Sequence, residues 1–66
     1  MALTAKQEAF AQAIADGLDQ ASAYRAAYDA SEMADNTIYA RASELAKNSK
    51  VAERVAELKA ALADKV

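Results

Sequence analysis

The chain has 66 residues with 8 basic and 10 acidic side chains, a net charge of −2 at neutral pH, and neither cysteine nor histidine. This composition excludes a disulfide framework, the usual ligands of a structural zinc site, and the histidine and cysteine side chains on which many enzymes depend. No apolar run approaches the roughly 20 residues of a membrane span and no basic-then-apolar leader is present, so we expect a cytoplasmic, non-enzymatic protein without cofactor, metal or membrane association.

Alanine occurs 20 times, glycine once and proline never, a composition that favours helix and predicts an all-α fold. The first helix is predicted over residues 5–16. Thr4 and Gln7 have the spacing of a capping box at its start. Gly17 is expected to end the helix, because glycine adopts a left-handed conformation without a steric penalty. The side chains expected to face the core are Phe10, Ala13 and Ile14.

A second, short helix is predicted over residues 20–28, with Asp19 as its N-cap. The side chains expected to face inward are Ala23, Tyr24, Ala27 and Tyr28. Residues 29–36 have the sequence DASEMADN, which collects turn-forming side chains around the single large apolar Met33. This segment therefore predicts a turn.

A third helix is predicted over residues 36–48, with Asp35 or Asn36 as its N-cap. Its buried stripe is expected at Ile38, Ala42 and Leu45. A fourth helix is predicted from a Ser49 N-cap to about Lys65, and a 4-3-4 spacing of apolar residues gives it a narrow packing seam. The seam residues are Val51, Val55, Leu58 and Leu62.

The charges are unevenly distributed along the chain. Residues 1–30 carry a net charge of −2, whereas residues 41–54 carry +2, with four basic side chains against Glu44 and Glu53. The basic residues of this segment are Arg41, Lys47, Lys50 and Arg54. They are either solubilising charges, two of them paired with the glutamates at helical spacing, or phosphate contacts on an anion-binding surface.

Three segments in chain order resemble the DNA-binding region of phage terminase small subunits: LTAKQEAF, AYRAAY, and ELAKNSKV continuing into AERVAELKA. That family has an L-T-x-K-Q-x-x-F opening, an A-x-R-A-G-Y-like second helix, and an N-x-K-V-x-x-R-I-x-E-L-like segment after the third. The matching residues are Lys6, Gln7, Phe10, Arg25, Tyr28, Asn48, Lys50, Val51, Arg54, Glu57 and Leu58. Ala27 and Ser49 stand where the family often has glycine and proline, and the turn over residues 29–34 is longer than in a compact helix-turn-helix.

The resemblance implies both a fold and a function. The expected fold is a compact helical bundle with a helix-turn-helix and a longer C-terminal helix. Residues 1–66 would form one DNA-binding domain, compatible with the N-terminal part of a longer protein. The implied function is to recognise double-stranded phage DNA for genome packaging in the host cytoplasm and to recruit the large motor and nuclease subunit. Members of the family act as rings, so the full-length protein is expected to be a homo-oligomer.

The third helix is the predicted reading element. Asn36 and Thr37 occupy its first turn, where a recognition helix commonly meets base edges, and an asparagine amide can pair with adenine through two hydrogen bonds. Asn36 is also an ordinary helix cap at this position. Arg25 is expected either to touch phosphate or to pair with Asp29. The candidate DNA-binding residues are Asn36, Thr37, Tyr39, Arg41, Lys47, Lys50 and Arg54.

Other interpretations of the same residues lead to different functions. Tyr24, Tyr28 and Tyr39 are expected in or beside the core, with a stacking platform for single strands as the alternative. The acidic residues lack the spacing of a calcium loop. The main alternative function is a small acidic adaptor that binds a partner helix through the seam over residues 51–62, with Leu62 at the interface. Salt distinguishes the two, because phosphate-driven binding weakens steeply with salt.

Overall fold

The computed structural model describes the backbone of residues 3–64 and the side chains of residues 3–61. Within this range the chain forms four helices and no strand: α1 (Ala5–Ala15), α2 (Gln20–Ala27), α3 (Asp35–Lys47) and α4 (Ser49–Asp64). The predicted all-α bundle with a longer C-terminal helix is confirmed. The Leu62 side chain and the predicted helix end at Lys65 lie outside the described residues.

Both ends of α1 are stabilised by the hydrogen bonds expected from the sequence. The Gln7 N–H donates to Thr4 Oγ1, and the Thr4 N–H donates to Gln7 Oε1, both at 3.1 Å, which completes the capping box. At the other end, Gly17 has a φ of +107°. The amides of Gly17 and Leu18 donate to carbonyls of the last turn at 3.0 and 3.1 Å, so the helix closes on its own backbone.

The connection between α2 and α3 covers residues 28–34, and its own hydrogen bonds are local. Asp29 Oδ1 accepts from the backbone N–H and the hydroxyl of Ser31 at 3.3 and 2.8 Å. The Met33 N–H donates to the Ala30 carbonyl at 3.1 Å, and the Met33 side chain packs against the core. The predicted turn is confirmed, and it is longer than the three or four residues of a compact helix-turn-helix.

Asp19 takes the N-cap position of α2 as predicted, but α3 begins one residue earlier than expected. Ala34, rather than Asp35 or Asn36, is the N-cap of α3, and no side chain caps its first-turn amides. The prediction of this cap was wrong: the Asp35 carboxylate pairs with Arg25 on α2 and accepts from no first-turn amide of α3. Asp35 lies inside the first turn, where its charge interacts favourably with the helix dipole.

Asn48 forms the junction between α3 and α4. Its backbone is extended, with φ −63° and ψ 125°, which ends α3. Its Oδ1 accepts from the amides of Lys50 and Val51 at 3.0 and 3.3 Å, and these bonds cap α4. Ser49, the predicted cap, is instead the first residue of α4. The same asparagine therefore ends one helix and begins the next.

All four helices contribute to the core, and α1 and α3 each pack against both α2 and α4. Its largest fully buried side chains are Phe10, Ile38 and Val51, contributed by α1, α3 and α4. The other buried side chains are Ala11, Ala21, Ala23, Tyr24 and Ala42. The stripe predicted for α3 is confirmed, since Ile38 and Ala42 are buried and Leu45 packs half-buried against the same core. In the α4 seam, Val51 is buried while Val55 and Leu58 are half-buried against the core.

Candidate nucleic-acid interface

The outer face of α3 lies opposite the side that packs into the core. Ile38 and Ala42 are 2% and 0% exposed. At 3.6 residues per turn, the opposite line of the helix runs through Asn36, Ala40 and Lys47, and all three are exposed. Because Ala40 carries only a methyl group, the middle of this face projects less than the two polar side chains at its ends.

Two candidate residues, Tyr39 and Arg41, lie on opposite flanks of this outer face. They are two positions apart, which corresponds to about 200° around the helix. Tyr39 is 60% exposed and shares its flank with Ser43, whereas Arg41 shares its flank with Thr37 and Glu44. A ligand lying along the outer face would therefore meet Tyr39 and Arg41 from different sides.

Asn36 lies in the first turn of α3 with its side chain exposed. Since Ala34 is the N-cap, the Asn36 amide does not cap the helix. No hydrogen bond joins this amide to another of the described residues, so its donor and acceptor groups are both available to a ligand. Thr37 is also exposed and lies next to it.

Lys47 and Lys50 lie on either side of the Asn48 junction, in the last turn of α3 and the first turn of α4. Both are exposed, and neither makes an ion pair with another residue in the part of the chain that the structure describes. The charge of Lys47 interacts favourably with the dipole of α3, because the C-terminal end of a helix is the negative end of its dipole.

Arg41 forms an exposed ion pair with Glu44 on the same helix. The shortest distance between the guanidinium and the carboxylate is 3.9 Å, with 62% and 73% of the two side chains exposed. Such a pair is weak and is screened by salt, so the Arg41 charge remains available to an anion. Arg41 also lines an open cleft of about 310 Å³ together with Tyr24 and Tyr28.

Arg54 is held by contacts within the fold. Its Nε donates to both carboxylate oxygens of Glu8 at 2.9 and 3.0 Å, and its Nη1 lies 4.0 Å from a Glu57 oxygen. The pKa of Glu8 is lowered, first because Gln12 donates to its carboxylate at 2.9 Å and then because of Arg54, while partial burial opposes the shift. Glu53, which is at helical spacing from Lys50, forms no ion pair among the described residues.

Arg25 pairs with Asp35, rather than with the Asp29 offered by sequence spacing. The Arg25 Nη2 donates to Asp35 Oδ1 at 2.7 Å and joins the last turn of α2 to the first turn of α3. Asp29 instead accepts from Ser31, and these hydrogen bonds lower the pKa of Asp29. A paired carboxylate and guanidinium therefore lie beside Asn36.

Tyr24 and Tyr28 stack on each other, with ring centroids 4.5 Å apart and an angle of 12° between their planes. Tyr24 is 8% exposed and Tyr28 is half-buried, and Lys6 Nζ lies 5.6 Å from the centre of the Tyr28 ring. Burial raises the pKa of Tyr28, with a smaller contribution from Tyr24. These two rings belong to the packed part of the domain, as the sequence predicted. The same prediction was wrong for Tyr39, which is 60% exposed because it lies on a flank of α3 turned away from the core.

The Arg25–Asp35 and Glu8–Arg54 contacts could not be predicted from the sequence. The partners are 10 and 46 residues apart and belong to different helices. Spacing predicts charge pairs only within one helix, at three or four residues. Apart from the opposite charges themselves, the sequence contains no signal that could have identified these partners.

The surroundings of the interface are open. A second cleft, of about 490 Å³, is lined by the end of α2, the connection and the start of α3, including Arg25 and Asp35.

Among the residues that the structure describes, no group of three or more potential metal ligands comes together. Within the same residues, no helix combines the length and the apolar character needed to cross a membrane.

No protein-family model matches the chain, and no solved structure gives a significant match. A protein of Haemophilus influenzae described as uncharacterized is 45% identical over 60 residues. The aligned region covers 89% of this chain but 35% of that protein. The chain therefore spans about a third of the length of the curated relative it matches.

Proposed function

We propose that this chain binds double-stranded DNA through the outer face of α3 and through the lysines of the α3–α4 junction. The main support for this proposal is Asn36, whose side chain is exposed in the first turn of α3 and forms no hydrogen bond to another described residue. An asparagine amide in this state can donate to and accept from an adenine edge in the major groove. Thr37 can supply a second polar contact.

The cationic side chains of the interface are suited to phosphate. Lys47 lies on the same line of α3 as Asn36 and eleven residues further along, which is roughly 16 Å at 1.5 Å per residue. A recognition helix lies in the major groove with its N-terminal residues at the base edges. A helix that presents Asn36 in this way would carry Lys47, at its other end, toward a backbone phosphate, with Lys50 following on α4. Arg41 would approach the groove from one flank and Tyr39 from the other.

Arg54 has a different place in this proposal. It is half-buried, and its guanidinium already binds Glu8. A phosphate contact through Arg54 requires the Glu8 carboxylate to share or release the guanidinium. We therefore assign direct phosphate contact first to Lys47 and Lys50 and treat Arg54 as a weaker contributor.

The biological role follows from the resemblance to terminase small subunits. In this role the chain is the helix-turn-helix domain of a bacteriophage protein that marks viral DNA for genome packaging in the host cytoplasm and recruits the large terminase subunit. The net charge of −2 disfavours strong binding by one copy. Several copies acting together in a homo-oligomer of the full-length protein would raise the affinity without further contacts.

A DNA titration at several salt concentrations tests the proposal. The probe is a pool of short duplexes of random sequence, and the enriched duplex and its shuffled version are then compared by fluorescence anisotropy. We expect binding that weakens steeply between about 50 and 200 mM salt, and tighter binding of the enriched duplex. Absence of salt-dependent binding would reject the proposal and favour the adaptor function.

A further inference from the structure

We infer that the ion pair between Arg25 and Asp35 is a positioning device for the first turn of α3, and that it sets the direction of the Asn36 amide. The inference rests on the proposed function, since it concerns how the reading residue is presented to DNA. It assigns no DNA contact to Arg25 or Asp35. Both act through Asn36.

The connection before α3 does not by itself orient the helix. It contains seven residues, 28–34. Each of its ends is bonded to the helix that it adjoins: the Tyr28 N–H donates to the Tyr24 carbonyl at 2.8 Å, and the Ala34 carbonyl accepts from the Ile38 N–H at 3.0 Å. The bonds within it join Asp29 to Ser31 and Ala30 to Met33, and none of these four contacts links α2 to α3. A longer connection constrains the rotation of the following helix less than a tight turn does, so the orientation of α3 depends on contacts between the helices.

Two side-chain hydrogen bonds join α2 to α3 within the described residues. Ser43 Oγ donates to Gln20 Oε1 at 3.5 Å, which is at the limit of a hydrogen bond. The Arg25–Asp35 bond is 2.7 Å long and joins two opposite charges, so it is the stronger link. It lies at the end of α2 that adjoins the first turn of α3.

The register of α3 links this bond to the reading residue. Asp35 immediately precedes Asn36, and adjacent residues project about 100° apart around a helix. Holding the Asp35 carboxylate against Arg25 therefore holds Asn36 at a defined angle away from α2. If the first turn frayed or rotated by one residue, the Asn36 amide would leave the outer face.

Because the Arg25–Asp35 pair is exposed, its loss should affect the orientation of Asn36 more than the free energy of unfolding. The Arg25 and Asp35 side chains are 52% and 81% exposed, and an ion pair in such surroundings contributes little to the free energy of unfolding. Loss of the pair should therefore leave the melting temperature nearly unchanged. What it should change is the ability of the first turn to discriminate one duplex from another.

The test compares Arg25→Gln, Asp35→Asn and the double variant with two charge-matched controls, Lys59→Gln and Glu32→Gln. Both control positions are exposed, and neither forms an ion pair with another described residue. The probes are the duplex enriched from the random pool by the unmodified protein and its shuffled version. The quantity measured is the ratio of the two dissociation constants at two salt concentrations.

We expect each single variant and the double variant to lower this ratio by the same amount, up to about fivefold, because either substitution alone breaks the pair and an exposed ion pair supplies no more than this. The double variant keeps the net charge, so its salt dependence should match that of the unmodified protein. The controls should leave the ratio unchanged. If Arg25→Gln instead weakened binding to both duplexes equally and lowered the salt slope by about one unit, Arg25 would be a phosphate contact and the inference would be overturned.

A measurement without DNA keeps the two ideas separate. Backbone order parameters of Asn36 and Thr37 should fall in Arg25→Gln and stay unchanged in Lys59→Gln. Failure of the unmodified protein to bind DNA would reject the proposed function, whereas unchanged order parameters in Arg25→Gln would reject the positioning device itself.

Discussion

Arg54 on α4 donates its Nε to both carboxylate oxygens of Glu8 on α1, at 2.9 and 3.0 Å. This contact joins residues 46 positions apart and links the first helix to the last. Gln12 donates to the same carboxylate at 2.9 Å, so Glu8 is held in its ionised form by two neighbours. The contact therefore connects the stability of the bundle to the ionisation of one carboxyl group.

We expect Glu8→Gln to reduce the sensitivity of the fold to acid. The pKa of Glu8 is lower in the folded chain than its ordinary value of 4.5, so its stabilising contribution is present above that pH and is lost as the pH falls through the folded value. Thermal melts at neutral pH and below pH 4 measure the effect. The difference between the two melting temperatures should be smaller in the variant than in the unmodified protein.

Glu53→Gln is the matched control for this experiment. It makes the same change of charge at an exposed position of α4 that forms no ion pair among the described residues. Equal acid sensitivity in the Glu8 and Glu53 variants would show that the Gln12 and Arg54 contacts of Glu8 together contribute nothing specific to the acid sensitivity of the fold.

Ile38→Ala should destabilise the domain by about 2–5 kcal/mol, because the missing methyl and methylene groups leave a cavity in the core. Ile38 is 2% exposed and lies on the inner face of α3. Urea denaturation followed by circular dichroism measures the change. Tyr39→Ala removes a larger side chain that is 60% exposed, and we expect it to cost within about 0.5 kcal/mol. Similar costs for the two variants would mean that α3 is rotated differently.

Gly17→Ala should destabilise the domain by roughly 1–2 kcal/mol. The φ of Gly17 is +107°, which a residue with a side chain adopts only with strain. An added Cβ would meet no atom within 4 Å, so any cost measured in the melt comes from the backbone and not from a clash. An unchanged melting temperature would indicate that α1 can end in another conformation at no cost.

Asn48→Ala should cost about 1 kcal/mol, within the usual range for loss of an N-cap. The Asn48 Oδ1 accepts from two first-turn amides of α4, which would be left without this partner. Ser49→Ala is the internal control, since Ser49 is the first residue of the helix and not its cap. The opposite order of costs in thermal melts would restore Ser49 as the cap.

Lys47→Ala and Lys50→Ala should weaken binding to all duplexes about equally, and each should lower the salt slope by about one unit because one phosphate fewer is neutralised. Asn36→Ala should act differently. It should remove roughly 1–3 kcal/mol of preference for the enriched duplex while leaving the affinity for the shuffled duplex nearly unchanged. Anisotropy isotherms on both duplexes at two salt concentrations separate these effects.

Lys59→Ala provides the control for the lysine variants, because Lys59 is exposed on α4 beyond the junction. If Asn36, Lys47 and Lys50 could all be replaced without changing either isotherm, α3 would not be the reading element. If the Lys59 variant matched the Lys47 variant, the binding would reflect total charge and not the interface.

Local features of the sequence were sufficient to predict the four helices, with the starts of α1 and α2 at the observed residues and the ends of α1, α2 and α3 within one residue. The Thr4–Gln7 capping box and the Gly17 terminator act within one turn, so their residues can be identified by spacing alone. The buried stripe of α3, with Ile38 and Ala42, follows from the 3.6-residue period in the same way. The outer face of α3, with Asn36 and Lys47, is the complement of that stripe and could be predicted with it.

The starts of α3 and α4 could not be read from spacing, because Asp35 and Ser49 are common cap residues that directly follow the observed N-caps, Ala34 and Asn48. The Asp35 carboxylate pairs with Arg25 on another helix and caps no amide of α3. Which basic side chains form ion pairs within the fold, and which do not, was also decided by the tertiary structure. Arg54 binds a carboxylate from another helix, whereas Lys50, four residues earlier on the same helix, forms no ion pair among the described residues. Contacts between helices depend on how the helices pack, and the local period of a sequence does not contain that information.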